Sequence, residues 1–280
     1  MNDEEKKEGT AENRMPYHIE VPAFHQARFT MVAAFRESTA YTRDYRCPFN
    51  MLGVCTRSEG ENASIVRNLL TGEEYSSQVD LVTMCPCNLP QRYTHTLRKE
   101  HLAIHFKLEL FPGVDVFAGQ KHVIKEFSPS LTAWAKEIFA ISEPTKMLTA
   151  CQEFALHFSL RHWPEQYGFE LKEMEKFQRV LTFIRNKANA ATSVKELAAL
   201  MDMPESTFCR AFHKVFNMPP KEFLQQEIFR KAAQLLLMPG MTVRETAMTL
   251  GFSSEFYFSH FFKRQSNLAP RTYQEQHDLH

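Results

Sequence analysis

The sequence predicts an α+β chain in two parts, a small β-barrel or sandwich followed by an all-α half. Three observations predict it. Short β-favouring runs separated by turn signals fill residues from about Phe24 to Leu110. The apolar period then becomes helical, and from Lys172 onward every periodic segment is helical. Within that second part, two stretches repeat one another. Ser193–Phe223 reads SVKELAALMDMPESTFCRAFHKVFNMPPKEF, and Thr242–Tyr273 reads TVRETAMTLGFSSEFYFSHFFKRQSNLAPRTY. A repeat of this length marks a repeated supersecondary unit.

The 280 residues suffice for about two domains on the usual prior of roughly 150 residues each. No apolar run approaches the roughly 18–20 residues of a membrane span. The first residues, MNDEEKKEGTAENR, are charged and lack the apolar core of a signal peptide. They predict a disordered tail over 1–14 and a cytoplasmic chain. Six scattered cysteines fit a reducing compartment. Lys+Arg and Asp+Glu are equal at 33 each, yet from Leu171 onward there are 15 basic against 11 acidic residues, leaving 18 against 22 before it. That mild asymmetry fits a nucleic-acid-binding half joined to a non-binding half.

Taken in order, FTMVAAF, FNMLGVC, SIVRNLL, QVDLVTM and HLAIHFKLEL are the predicted strands. Cys47-Pro48, Ser58–Asn62, Thr71-Gly72 and Asn88–Pro90 supply the turns. Ser128-Pro129 opens a helix through Ala140, and Pro144 opens another to about His162. Met147, Leu148, Cys151, Phe154, Ala155 and Phe158 form an apolar stripe on the second, fit to cover the barrel or a twin subunit. Trp163–Glu170 holds Pro and Gly and reads as the linker, giving domains over 15–165 and 172–280. Lys172–Ala188 is one predicted helix with Met174, Phe177, Val180, Leu181 and Ile184 on one face.

Each repeat reads as a capped helix, a turn and a second helix. Ser193 and Thr242 are good N-caps, and Glu196 and Glu245 three residues later predict a capping box in both copies. Small Ala198 and Ala247 allow two crossing helices to approach closely. Gly251 suits the left-handed turn of the second copy, and Asp202 must enter that region in the first. Phe208, Phe212, Phe258 and Phe262 are assigned to the core. The opposite faces carry Ser206, Cys209, Arg210 and Lys214, then Glu255, Phe256, Ser259, His260, Lys263 and Arg264. Two helix-turn-helix units in tandem point to double-stranded DNA, with these side chains on base edges and phosphates. Lys221–Leu237 predicts one connecting helix of about 25 Å.

These residues resemble the DNA-binding domain of AraC/XylS-type transcription regulators. The resemblance covers about 172–276. Ile228–Leu236 is similar to the family's linker helix, with Arg230, Ala233 and Leu236 in place, and the second unit matches in Ala247, Gly251, Phe252, Phe258, Phe262, Lys263, Pro270 and Tyr273. The resemblance implies that each second helix enters a major-groove segment. Departures are Asn217 and Asn267 where the family has Gly, and His213 where it has Lys. Asn is the next-best residue for positive φ, so both turns are expected to survive.

By loose resemblance the N-terminal half is a cupin-like effector barrel with dimerisation helices. The fold expectation is therefore α+β, with that barrel ahead of an all-α tandem helix-turn-helix domain. The implied function is a sequence-specific DNA-binding transcription activator, not an enzyme. It would be a homodimer that contacts RNA polymerase and responds to a small molecule such as a sugar. A ligand-independent dimeric regulator stays open, as does a DNA alkylation-repair protein sharing the domain. No motif assigns effector-binding residues. Cys85-Pro86-Cys87 with His95, His101 and His105 fits no standard zinc spacing, so neither metal nor cofactor is expected.

Overall fold

Alternation of buried and exposed side chains explains the N-terminal half. In Ser64–Asn68 the residues are buried at every second position, as a strand with one face on a core requires. The computed structural model describes residues 28–37, 41–58, 64–95, 99–164 and 171–277. The expected tail over 1–14 and most of the Trp163–Glu170 connection lie outside them.

In chain order the described strands are β1 (Arg28–Glu37), β2 (Tyr41–Arg46), β3 (Asn50–Ser58), β4 (Ser64–Asn68), β5 (Glu74–Ser76), β6 (Leu81–Cys85), β7 (Pro90–His95), β8 (Lys99–Phe111), β9 (Val114–Asp115) and β10 (Ile124–Phe127). They form two antiparallel sheets. One has the order β1-β8-β3-β6-β10, with β9 on β8, and the other β2-β7-β4-β5. All five predicted runs are strands. The five that periodicity did not reveal are short or polar. β2 and β7 place Asp44 opposite Arg92, and their ion pair at 2.6 Å bridges the exposed face.

Helix α1 (Pro129–Ala140) is capped by the Ser128 hydroxyl, and α2 (Pro144–Arg161) begins, as expected, at its proline. Cys151, Phe154, Ala155 and Phe158 are buried within the same chain, while Leu148 of the stripe stays exposed. Trp134 packs α1 on α2, its ring 5.0 Å from that of Phe154.

The C-terminal half holds α3 (Leu171–Glu175), α4 (Gln178–Lys187), α5 (Val194–Ala199), α6 (Glu205–Phe216), α7 (Pro220–Leu236), α8 (Val243–Thr249), α9 (Glu255–Ser266) and α10 (Pro270–His277). The single helix expected over Lys172–Ala188 is split into α3 and α4. A tight turn at Lys176-Phe177, closed by Phe177 N–H on Met174 C=O at 2.9 Å, buries both Phe177 and Met174 side chains. The Phe177 ring then lies 5.5 Å from Phe212 and 5.4 Å from Phe216. Close aromatic packing of this kind outweighs one helical hydrogen bond.

Helix α7 is the shared floor. Phe223, near its start, meets Phe212 at 5.4 Å, and Phe229, further along, meets Phe262 at 5.1 Å. Lys231 donates to the Ile184 and Ala188 carbonyls at 2.9 and 2.8 Å, closing the end of α4. The apolar core runs without a break from the sheets into these helices.

Candidate nucleic-acid interface

Both repeats fold as a short helix, a turn and a second helix, α5 to α6 and α8 to α9. Thr242 Oγ1 accepts from Glu245 N–H at 3.1 Å and Glu245 Oε2 accepts from Thr242 N–H at 2.9 Å, a complete capping box. In the first unit Ser193 Oγ accepts from Glu196 N–H at 3.2 Å, and only this half of the expected box is made. The turns reach the left-handed region at Asp202 (φ 52) and Gly251 (φ 71). A Cβ at Gly251 would also press on Asn189 Cγ at 3.3 Å. Ala198 and Ala247 are buried where the helices cross.

The second helices turn their phenylalanines inward. Phe208, Phe212, Phe258 and Phe262 are each 0% exposed. Asn217 (φ 50) and Asn267 (φ 67) end these helices in the left-handed conformation, so asparagine does serve where the family carries glycine.

The faces left outside form two open grooves. The first, about 710 Å³, is lined by Cys209, Arg210, His213 and Lys214 of α6, with Val194 at one wall and Lys221 at the other. The second, about 850 Å³, is lined by Glu255, Phe256, Ser259, His260 and Lys263 of α9, with Val243 and Arg271 as walls. In the repeat register, Val194 corresponds to Val243, Cys209 to Ser259, Arg210 to His260, His213 to Lys263, and Lys221 to Arg271. Equivalent residues therefore line both grooves, and among the described residues none from the barrel lines either.

Of the ten residues singled out by sequence, eight line a groove. Ser206, in the first turn of α6, and Arg264, in the last turn of α9, are exposed outside the lining. Phe256 stands out into solvent at 75% exposure, its ring edge-on to Tyr257 at 5.9 Å.

Glu205, Lys221 and Arg271 line the grooves without being among the ten. The repeat register was the signal that pairs Glu205 with Glu255 and Lys221 with Arg271. Lys221 and Arg271 sit in the first turns of α7 and α10, each just after a proline that opens the helix. A cation beside free first-turn amides makes a position suited to a phosphate.

The cysteine and histidine group considered for zinc is dispersed. Among the described residues no cluster of three or more His, Cys, Asp or Glu could hold a metal ion. Burial pushes the Cys47 thiol up to about 12. Cys85 and Cys87 are raised for the same reason, so all three are inert thiols.

A family profile described as a helix-turn-helix domain matches residues 197–276. The second unit lies wholly within it, and the first lies within it from Leu197, midway along α5. The helical half carries an AraC-type helix-turn-helix domain. Among curated relatives, the HTH-type transcriptional regulator AlkR of Acinetobacter baylyi is 36% identical over 84 residues, which is 30% of this chain and 28% of that protein. The Msm operon regulatory protein of Streptococcus mutans is 22% identical over 157 residues, 56% of this chain and 54% of that one. The chain thus spans about half or less of the length of these relatives. In the solved structure of ToxT from Vibrio cholerae, 91% of this chain superposes on 99% of that one with a TM-score of 0.59 at 12% identity. That likeness extends to the whole α+β fold, antiparallel sheets followed by the helical half.

Proposed function

We propose that this protein is a sequence-specific DNA-binding transcription regulator whose two units read successive major-groove segments. The observation that carries the reading is the pair of equivalent grooves. Each presents an exposed second helix with basic residues at its rim, at positions matched by the repeat. Arg210 donates to a guanine, Glu255 accepts from a cytosine, and Phe256 touches a thymine methyl. Lys214, Lys263 and Arg264, with Lys221 and Arg271, hold phosphates. Ser206, Cys209, Ser259 and His260 complete the reading faces.

Family resemblance supplies the finer elements: activation through RNA polymerase, a homodimer, a cytoplasmic location and control by a small molecule such as a sugar. AlkR and the Msm operon protein are both named as regulators, which supports a non-enzymatic role. Selecting bound duplexes from a random pool tests the proposal. Two half-sites about one helical turn apart on one face of the duplex are expected. A pool that enriches no sequence at low salt overturns it.

A further inference from the structure

The barrel touches the helical half on α4, along α7 and on α10. Lys107 on β8 is buried, 5% exposed, with its ammonium 3.6 Å from Glu227 Oε1 on α7 and 3.8 Å from Glu109 Oε1 beside it. Glu109 also pairs with Arg185 on α4, and Glu227 accepts from Arg230 at 2.8 Å. Two charges of the barrel and three of the helices thus close one buried cluster across the domain boundary. To one side, Asn88 donates to Gln226 at 3.1 Å. To the other, the Tyr45 ring lies 6.3 Å from Tyr273 of α10, in the second unit. The fit is close: a Cβ on Gly113 would stand 2.9 Å from Glu227 Cδ and 3.0 Å from Phe223 Cζ.

Charges buried this way tolerate one arrangement only. If the barrel shifts, Lys107 or Glu227 is left buried without its partner or must be rehydrated, and either is costly. The contact therefore specifies a register, which a greasy interface would not. It grips α4 and the middle of α7 on the side of the first unit, and α10 on the side of the second. Among the described residues none from the barrel lines a reading groove, so the docked barrel leaves both open.

We propose that the barrel is a brace. Lys107 is a positioning residue that seats the barrel on α7 and so fixes the angle between the two reading units. Binding to a two-part site then proceeds without first ordering the second unit, and affinity for the full site exceeds what loosely joined units give. The inference rests on the DNA-reading function above, and its test separates the two.

The test uses the full chain and duplexes selected by the wild type, either intact or with one half-site scrambled. Lys107→Met keeps the stem and removes the charge. It should weaken binding to the intact site roughly 5- to 150-fold, the ordinary range of coupling between sites. Binding to each single half-site should stay within about twofold, because neither groove is touched. Gly113→Ala, which wedges the same seam from the barrel side, should reproduce the split, and Lys107→Arg should restore most of the loss. Equal weakening on intact and half-sites would make Lys107 a mere fold-supporting residue and overturn the brace, as would unchanged binding to the intact site by both variants. A wild type that selects no DNA sinks the functional reading and takes the brace with it.

Discussion

Phe256 and Phe258 lie two positions apart on α9 and should fail in opposite ways when truncated. Phe258 is fully buried, with ring contacts to Phe252 at 5.3 Å and Phe262 at 5.9 Å. Its loss removes the transfer energy of the ring and leaves a cavity, at about 3–5 kcal/mol. Phe256 is 75% exposed, so the folded state has little to lose, and Phe256→Ala should change stability by less than about 0.5 kcal/mol. What it can lose is binding. A phenylalanine covers about 150–250 Å² when fully buried. Three quarters of that is still in water, and covering it all would be worth at most about 3–5 kcal/mol at ~25 cal/mol per Å². One thymine methyl covers only part of a ring, which leaves about 1–2 kcal/mol at one base pair. The assay is selection from a random pool with wild type and Phe256→Ala, alongside thermal melting of Phe256→Ala and Phe258→Ala. Preference for T should fade at one position while the rest of the site is kept. If Phe256→Ala weakens all sequences equally, or melts as early as Phe258→Ala, the outward assignment of Phe256 is refuted.

Arg210→Ala should cost about 1–3 kcal/mol on the selected site and relax preference at a single base pair, read by competition with single-base variants; an unchanged preference counts against a base contact. Replacing Lys263 or Arg264 by Ala should weaken binding across sequences. Each phosphate no longer neutralised should lower the slope of log K against log salt by about one, checked by titration at several salt concentrations. Burial works to raise the Glu227 carboxyl, but the Arg230 and Lys107 charges outweigh it and hold it down at about 2, against an ordinary 4.5. A lowered carboxyl stabilises the fold above its unfolded value and loses that contribution as pH falls from about 4.5 to about 2. The difference is about 3 kcal/mol over the whole window. Urea unfolding at pH 7 and pH 3 should show a smaller acid loss in Glu227→Gln than in wild type, and parallel losses would exclude the group.

The helical half was legible because its signals are local. Caps at Ser193 and Thr242, left-handed residues at Asp202, Gly251, Asn217 and Asn267, and inward phenylalanines all stand in the structure where residue chemistry puts them. The break at Phe177 was not legible, because the aromatic cluster that draws its ring inward is built from residues some thirty positions or more away. Strands β2 and β7 escaped notice because their exposed faces are held by a cross-strand Asp44–Arg92 pair, which has no hydrophobic period. The seam between the two parts was invisible for a related reason. Lys107, Glu109 and Glu227 look like solvated charges in the sequence, and only folding shows that each has been taken out of water.

One helix serving as the base of two units has an evolutionary corollary. The duplication is plain in the amino-acid text, yet Phe223 and Phe229 belong to different halves while standing on the same backbone. A copy cannot be cut out, swapped or multiplied without dividing α7. The doubled sequence therefore makes a fixed pair and not an extendable array.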